Sequence, residues 1–155
     1  MSRNQEKLSL RSLIKKVRQR QNGIDCVGIP PAAVAYLVAS LQQELGSSIF
    51  IIVPNQKTAE TLDENLHFFL PDSVPRPLHF PPYNILPYKF ISYHNETAAR
   101  RIGTLYRLIS DESPQIVITT AEALLQKVIP LEEINAYAEL VMTGGVALHR
   151  GVGEA

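Results

Sequence analysis

The segment Gly28-Ile29-Pro30-Pro31-Ala32-Ala33-Val34-Ala35 lies between a strand candidate and a helix candidate. That is the place where phosphate loops are built. A working loop reads G-x-x-x-x-G-K-S/T: its glycines let backbone N–H groups surround the phosphates, its lysine meets the β and γ phosphates, and its hydroxyl reaches Mg²⁺. Here only the first glycine is present. Val34 stands at the lysine position and Ala35 at the hydroxyl position, with Ala33 before them, and Pro30 and Pro31 each lack the N–H that a phosphate nest requires. Taken by itself the segment therefore reads as a proline-initiated helix start with weak anion affinity at most.

The other reactive residues form no catalytic set. His67, His79, His94 and His149 are scattered, without the i,i+4 pairing or neighbouring cysteine of a metal site, so no metal is expected. His67 reads as partly exposed packing beside Phe68 and Phe69. Glu132-Glu133 is an adjacent pair at a helix start, where carboxylates suit the helix dipole. No G-x-S-x-G elbow occurs. Cys26 falls within the first strand candidate and reads as a buried, inert thiol. Asn55, Thr119 and Thr120, at the ends of later strand candidates, leave open an α/β domain that binds some other small ligand there.

The elements that must position these residues alternate between helix and strand. Leu10, Leu13, Ile14 and Val17 predict a helix over Leu8–Gln21, ended by Asn22-Gly23. Residues 24–28 read as a short strand, and a helix follows from about Ala32 to Leu45 with Gly46 beyond its end. Ser48–Val53, containing the run Ile-Phe-Ile-Ile-Val, reads as a strand buried on both faces of a parallel sheet. Pro54-Asn55 opens a helix to about Phe69, with Ala59, Leu62, Leu66 and Phe69 on one stripe. Six prolines between Pro71 and Pro87 exclude helix there, while Pro77–Phe80 fits an edge strand.

Asn95 is expected to cap a further helix with Ala98, Ile102, Leu105 and Leu108 or Ile109 inward and Arg100, Arg101 and Arg107 outward or sideways. Gln115–Thr119 is a second fully buried strand candidate. A short helix with Leu124, Leu125 and Val128 and a last strand, Glu139–Met142, complete the order. The alternation predicts an α/β layer structure with a mainly parallel sheet flanked by helices.

Composition bounds the class. The chain has 155 residues, one cysteine, and 15 basic against 15 acidic residues, which fits one globular domain without an internal disulfide in a reducing, cytoplasmic setting. The uncharged stretch 27–43 is broken by Pro30-Pro31 and polar residues, so no membrane span is expected. The neutral total conceals an asymmetry: residues 1–20 carry Arg3, Lys7, Arg11, Lys15, Lys16, Arg18 and Arg20 against Glu6, a net +6, and the remainder is −6. Lys7, Arg11, Lys15 and Arg18 run along one face of the first helix. That face is either simply solvated or a contact for DNA or an acidic partner.

Three stretches, Phe80-Pro-Pro-Tyr-Asn-Ile-Leu-Pro-Tyr88, Arg101-Ile-Gly-Thr-Leu-Tyr-Arg-Leu108 and Ile116-Val-Ile-Thr-Thr-Ala-Glu-Ala-Leu-Leu125, occur in an order and spacing that resemble the N-terminal, UvrB-like region of bacterial transcription-repair coupling factors. Tyr83 and Asn84 replace that family's frequent Trp and Glu, and Lys89 a frequent Asp. The resemblance covers residues 24 to about 150. It implies a P-loop-NTPase-like layout, similar to RecA and to the first UvrB subdomain, whose phosphate loop is degenerate, so that no cofactor is expected here and ATP and Mg belong to motor domains elsewhere.

The family is an ATP-driven DNA translocase that displaces stalled RNA polymerase and recruits UvrA. By that resemblance residues 1–22 are a basic N-terminal helix, 23–138 the UvrB-like α/β subdomain, and 139–155 the start of an inserted UvrA-binding domain, so that the chain is expected to be a piece of a longer protein. Its expected role is a non-catalytic structural module whose partners are other domains of the same protein. UvrA, RNA polymerase and DNA are then reached mainly through regions beyond it. Tyr83, Tyr88, Arg100, Arg101 and Arg107 are candidates for the interdomain or partner surface; the alternative for the arginines is plain solvation, and for the aromatic loop a cover over the sheet edge.

Overall fold

The computed structural model describes residues 9–83 and 95–134; Lys7, the Asn95 cap, Tyr88 and the 139–142 strand candidate lie outside what is described. The elements are α1 (Leu10–Arg18), α2 (Pro31–Leu45), β1 (Ile49–Val53), α3 (Gln56–Phe69), β2 (Leu78–Phe80), α4 (Asn95–Ser110), β3 (Ile116–Thr120) and α5 (Ala121–Leu125). The three strands form an all-parallel sheet in the order β1-β3-β2. The fold is α/β, as the alternation of elements predicts.

Local signals explain most boundaries. Ser9 and Ser12 close a reciprocal capping box on α1. Pro31 occupies the first position of α2, where its missing N–H costs nothing, and Gly46 ends that helix at φ +57° while its N–H bonds to Gln42 O. The Asn55 side chain accepts from Thr58 N at 2.9 Å and starts α3.

One face of the sheet packs on α2 and α3. Ala35, Val38, Ala39, Ala59, Leu62 and Leu66 meet Val53, Ile116 and Ile118 in the larger core. Burial of each such leucine or isoleucine contributes roughly 1.5–3 kcal/mol. The other face carries Leu78, Phe80 and Val117, covered by Ala123 of α5 and by Leu105 of α4. β3 is buried throughout, as a central parallel strand should be.

Several sequence expectations are corrected. β1 is not buried on both faces: it is an edge strand, and Phe50 and Ile52 are 55% and 56% exposed because no described element covers them on the α4 side. Residues 24–28 form no strand among the described residues, Val27 is exposed, and Cys26 is exposed rather than buried. α4 is rotated from the apolar stripe: Arg101 and Thr104 are buried, while Leu108 and Ile109 are exposed. The cause is the bonding demand of β2, described below. Leu124, Leu125 and Val128 are also exposed, because α5 turns only Ala123 into the core.

α1 is shorter than its pattern predicts. Gln21 N bonds to Lys16 O and Arg20 N to Val17 O, the paired bonds of a Schellman ending, which place Arg20 rather than Gly23 at the left-handed position with φ +54°. A side chain in that conformation costs about 1–2 kcal/mol that glycine avoids. Arg20→Gly is therefore expected to raise the unfolding free energy by about 1 kcal/mol in urea denaturation, with an unchanged slope against denaturant.

Candidate functional site

The α4 side of the sheet ends in a polar knot built on a three-residue strand. β2 is the other edge of the sheet, and three successive carbonyls at its end are held by three side chains. His79 O accepts from the Thr104 hydroxyl at 3.0 Å, Phe80 O from the Thr119 hydroxyl at 2.9 Å, and Pro81 O from Arg101 Nη1 at 2.8 Å. This is why α4 turns polar residues inward: Arg101 and Thr104 are one helical turn apart and both reach the strand end.

Arg101, 2% exposed, is the centre of the knot. Its guanidinium lies 4.0 Å from the Phe80 ring centroid and 4.3 Å from that of Tyr83. It also donates to Gln126 Oε1 at 3.3 Å and Lys127 O at 3.4 Å. Gln126 completes the arrangement, accepting from Tyr83 N at 2.8 Å and donating to Tyr83 O at 3.1 Å, as a neighbouring strand would. Among the described residues Arg101 has no carboxylate partner, so desolvation lowers its affinity for the proton, and the Tyr83 phenol partly offsets this. The guanidinium still stays charged, and it joins the aromatic loop to the chain after α5.

The other candidates lie apart. At the degenerate loop Gly28 has φ +78°, and Ala33 N and Val34 N both bond back to Pro30 O at 2.9 and 3.2 Å. With Pro30 and Pro31 lacking donors, the first turn of α2 presents only the Ala32 N–H outward. Val34 packs against the larger core and Ala35 is fully buried, so the positions of the missing lysine and hydroxyl face the protein interior. Asn55 and Thr120 cap helices, and Thr119 holds Phe80 O. Each of the three has a local structural role.

Among the basic residues, Arg11 and Lys15 are exposed on α1, whereas Arg18 bridges to the Glu44 carboxylate at 3.0 Å and to its backbone carbonyl at 2.9 Å, tying α1 to α2. Arg100 is exposed and pairs with Glu96 at 2.6 Å. Arg107 is exposed, and the Asp111 carboxylate beside it binds Ser113 N and Gln115 Nε2 instead. These Ser113 bonds, then Gln115 and Arg107, hold that carboxyl below its usual range. The outward reading of the arginines thus applies to Arg100 and Arg107. Arg101 faces inward because the β2 carbonyls require a donor. Gln126 carries no sequence signal, being a single glutamine after a short helix.

No protein-family model matches the chain. Among curated proteins, a transcription-repair-coupling factor of Myxococcus xanthus is 28% identical over 121 residues, 76% of this chain and 10% of its own length. That of Escherichia coli strain K12 is 29% identical over 119 residues, 77% of this chain and 10% of its own. The chain is similar to transcription-repair-coupling factors. A third coupling factor, from Rickettsia typhi, is 28% identical over 102 residues, 66% of this chain. The chain spans about a tenth of the length of the coupling factors it matches. No helix among the described residues is long and apolar enough to cross a membrane, and no described cluster of His, Cys, Asp or Glu could hold a metal ion.

Two outcomes follow from these contacts. Arg101→Met leaves Pro81 O without its side-chain donor and removes one of the two bonds to Gln126 Oε1, and is expected to destabilise the protein by about 3 kcal/mol in chemical denaturation. Arg101→Lys should recover little of this, because an ammonium lacks the planar fork that bonds and stacks together. His79 supplies a pH signature. Burial lowers its pKa, with Asp63 opposing, Arg100 assisting and Glu60 opposing, and its Nε2 has no partner among the described residues. As pH falls below about 6.5 the unfolded chain takes up this proton first, so stability should decline from there down to the folded pKa. Thermal denaturation between pH 7.5 and 5.5 should show that decline, and His79→Phe should flatten it; Asp111 titrates below this window.

Proposed function

We propose that the chain is a non-catalytic module of a transcription-repair coupling factor, working in transcription-coupled nucleotide excision repair as a structural and interdomain element that does not bind nucleotide. The observation that carries the reading is the first turn of α2. Its N–H groups close on Pro30 O, two of its first positions are proline, and the side chains that would meet phosphate and Mg²⁺ are replaced by Val34 and Ala35, set into the core. An α/β layout with this turn can keep the shape of an ATPase domain while lacking the donors that cradle a phosphate.

On this reading ATP-driven translocation along DNA, displacement of stalled RNA polymerase and recruitment of UvrA belong to the rest of a much longer cytoplasmic protein. This module contributes surfaces for its neighbouring domains. Arg100, Arg107 and the ring of Tyr83 are its candidates for such contacts, and Arg11 and Lys15 remain accessible for an acidic partner.

Isothermal titration with Mg-ATP and Mg-ADP up to millimolar concentration tests the reading. No heat beyond dilution is expected, and saturable binding in the micromolar range overturns it. Ala32→Pro, which removes the last outward N–H of the turn, should leave the titration unchanged.

A further inference from the structure

α1 carries charge of one sign. Arg11, Lys15 and Arg18 follow at i, i+4 and i+7, so they form one stripe about 10 Å long, and the helix contains no Asp or Glu. Solvated helix surfaces balance such charges, as α4 does where Glu96 pairs with Arg100 four residues on. Arg11 and Lys15 are instead like charges one turn apart, both exposed, and like charges at that spacing repel. Arg18 is held by Glu44 and fixes the helix on α2, which leaves Arg11 and Lys15 as the outward cations of the stripe.

The rest of the helix surface decides what kind of anion fits. Leu13 is buried, with Leu10, Ile14 and Val17 half-buried beside it, and by helical phase this packing face lies apart from the basic stripe. Every exposed residue between Ser9 and Gln21 is Ser, Gln, Lys or Arg. A protein-binding surface takes its affinity from an apolar or aromatic centre, and this face has none. Those four side-chain types are among the ones that contact phosphate oxygens. The charge of the whole chain acts in the same sense: residues 1–20 carry +6 and the remainder −6, so a polyanion is drawn to the first helix and repelled by the body.

We propose that the Arg11–Lys15 stripe of α1 binds the phosphate backbone of duplex DNA without reading its base sequence. A duplex presents one negative charge per about 1.7 Å of its axis, so a row of this length meets phosphates whatever the sequence. Binding displaces counterions from the DNA and relieves the repulsion between Arg11 and Lys15. DNA is thus the acidic partner of these two accessible cations. The site rests on the accessibility of Arg11 and Lys15 and on nothing in the first turn of α2, so the DNA and Mg-ATP titrations can fail independently.

Fluorescence anisotropy of a labelled duplex of about 20 base pairs, titrated with the 155-residue chain between 25 and 200 mM NaCl, tests the site. Affinity is expected to fall about tenfold or more between 50 and 200 mM, the change that two phosphate contacts give. The slope of log K against log salt should drop by about 1 in Arg11→Gln, by about 1 in Lys15→Gln and by about 2 in the double variant. Glutamine keeps the helix propensity, and circular dichroism should show the helix content of the parent. Arg100→Gln, on α4, should leave affinity and slope unchanged, and a duplex of shuffled sequence should bind as well as the first. No binding at 25 mM, a slope unmoved by the α1 variants, an equal loss in Arg100→Gln, or a strong preference for one sequence overturns the proposal. Binding of poly-glutamate in place of DNA also overturns it, by assigning the stripe to an acidic polypeptide.

Discussion

The carbonyls of His79, Phe80 and Pro81 are the groups on which the α4 half of the molecule depends. They end a three-residue edge strand, too short to hold its place by ladder bonds alone, and an unbonded buried carbonyl costs about 1–3 kcal/mol. Thr104, Thr119 and Arg101 satisfy one each. The rotation of α4, the inward guanidinium and the position of the aromatic loop follow from that requirement. The residues involved come from four separate stretches of chain, so the knot positions β2, α4, β3 and the segment after α5 relative to one another, where apolar contact through Leu105 alone would leave freedom to slide.

The two ends of the sheet are managed differently. β2 is closed by polar side chains and stacked rings, whereas β1 is apolar and open on the same face. The α2 side has no such imbalance: Gln42 reaches Pro114 O at 3.2 Å, and Leu62 and Leu66 cover Ile116 and Ile118. Among the described residues one layer is therefore complete and the other partial. The turn at Pro30-Pro31 lies at the start of the complete layer, and its helix serves that layer by packing Ala35, Val38 and Ala39 into the core. Small side chains at the front of α2 suit close packing as well as they exclude phosphate.

Much of this order was legible from the residues. Alternation gave the α/β class, Gly46 and Asn55 marked helix ends at the right places, and the proline-rich stretch left room only for a short edge strand. What misled were patterns that assume completion by neighbours. Ile49–Val53 has the composition of a strand covered on both sides, and Ile24–Gly28 that of a strand with a partner; composition records the environment a segment suits, not whether that environment is present. Arg101 misled differently. Periodicity assigns a charged residue to the solvent side of a helix, and a demand for donors at an adjacent strand end outweighs it. Gln126 was invisible because its role depends on a contact 43 residues away.

The strand order carries a consequence for synthesis. Among the described residues β1 and β2 do not pair with each other; both pair with β3, which is the last of the three in the chain and sits between them. Until about residue 120 has left the ribosome, neither strand has this partner, although α2 and α3 can already pack together. The sheet must then assemble by insertion of β3 between two waiting strands, over separations that make ring closure slow. Ile49–Val53 is meanwhile an uncovered run of five apolar residues, the kind of segment that chaperones hold and that aggregates when they do not.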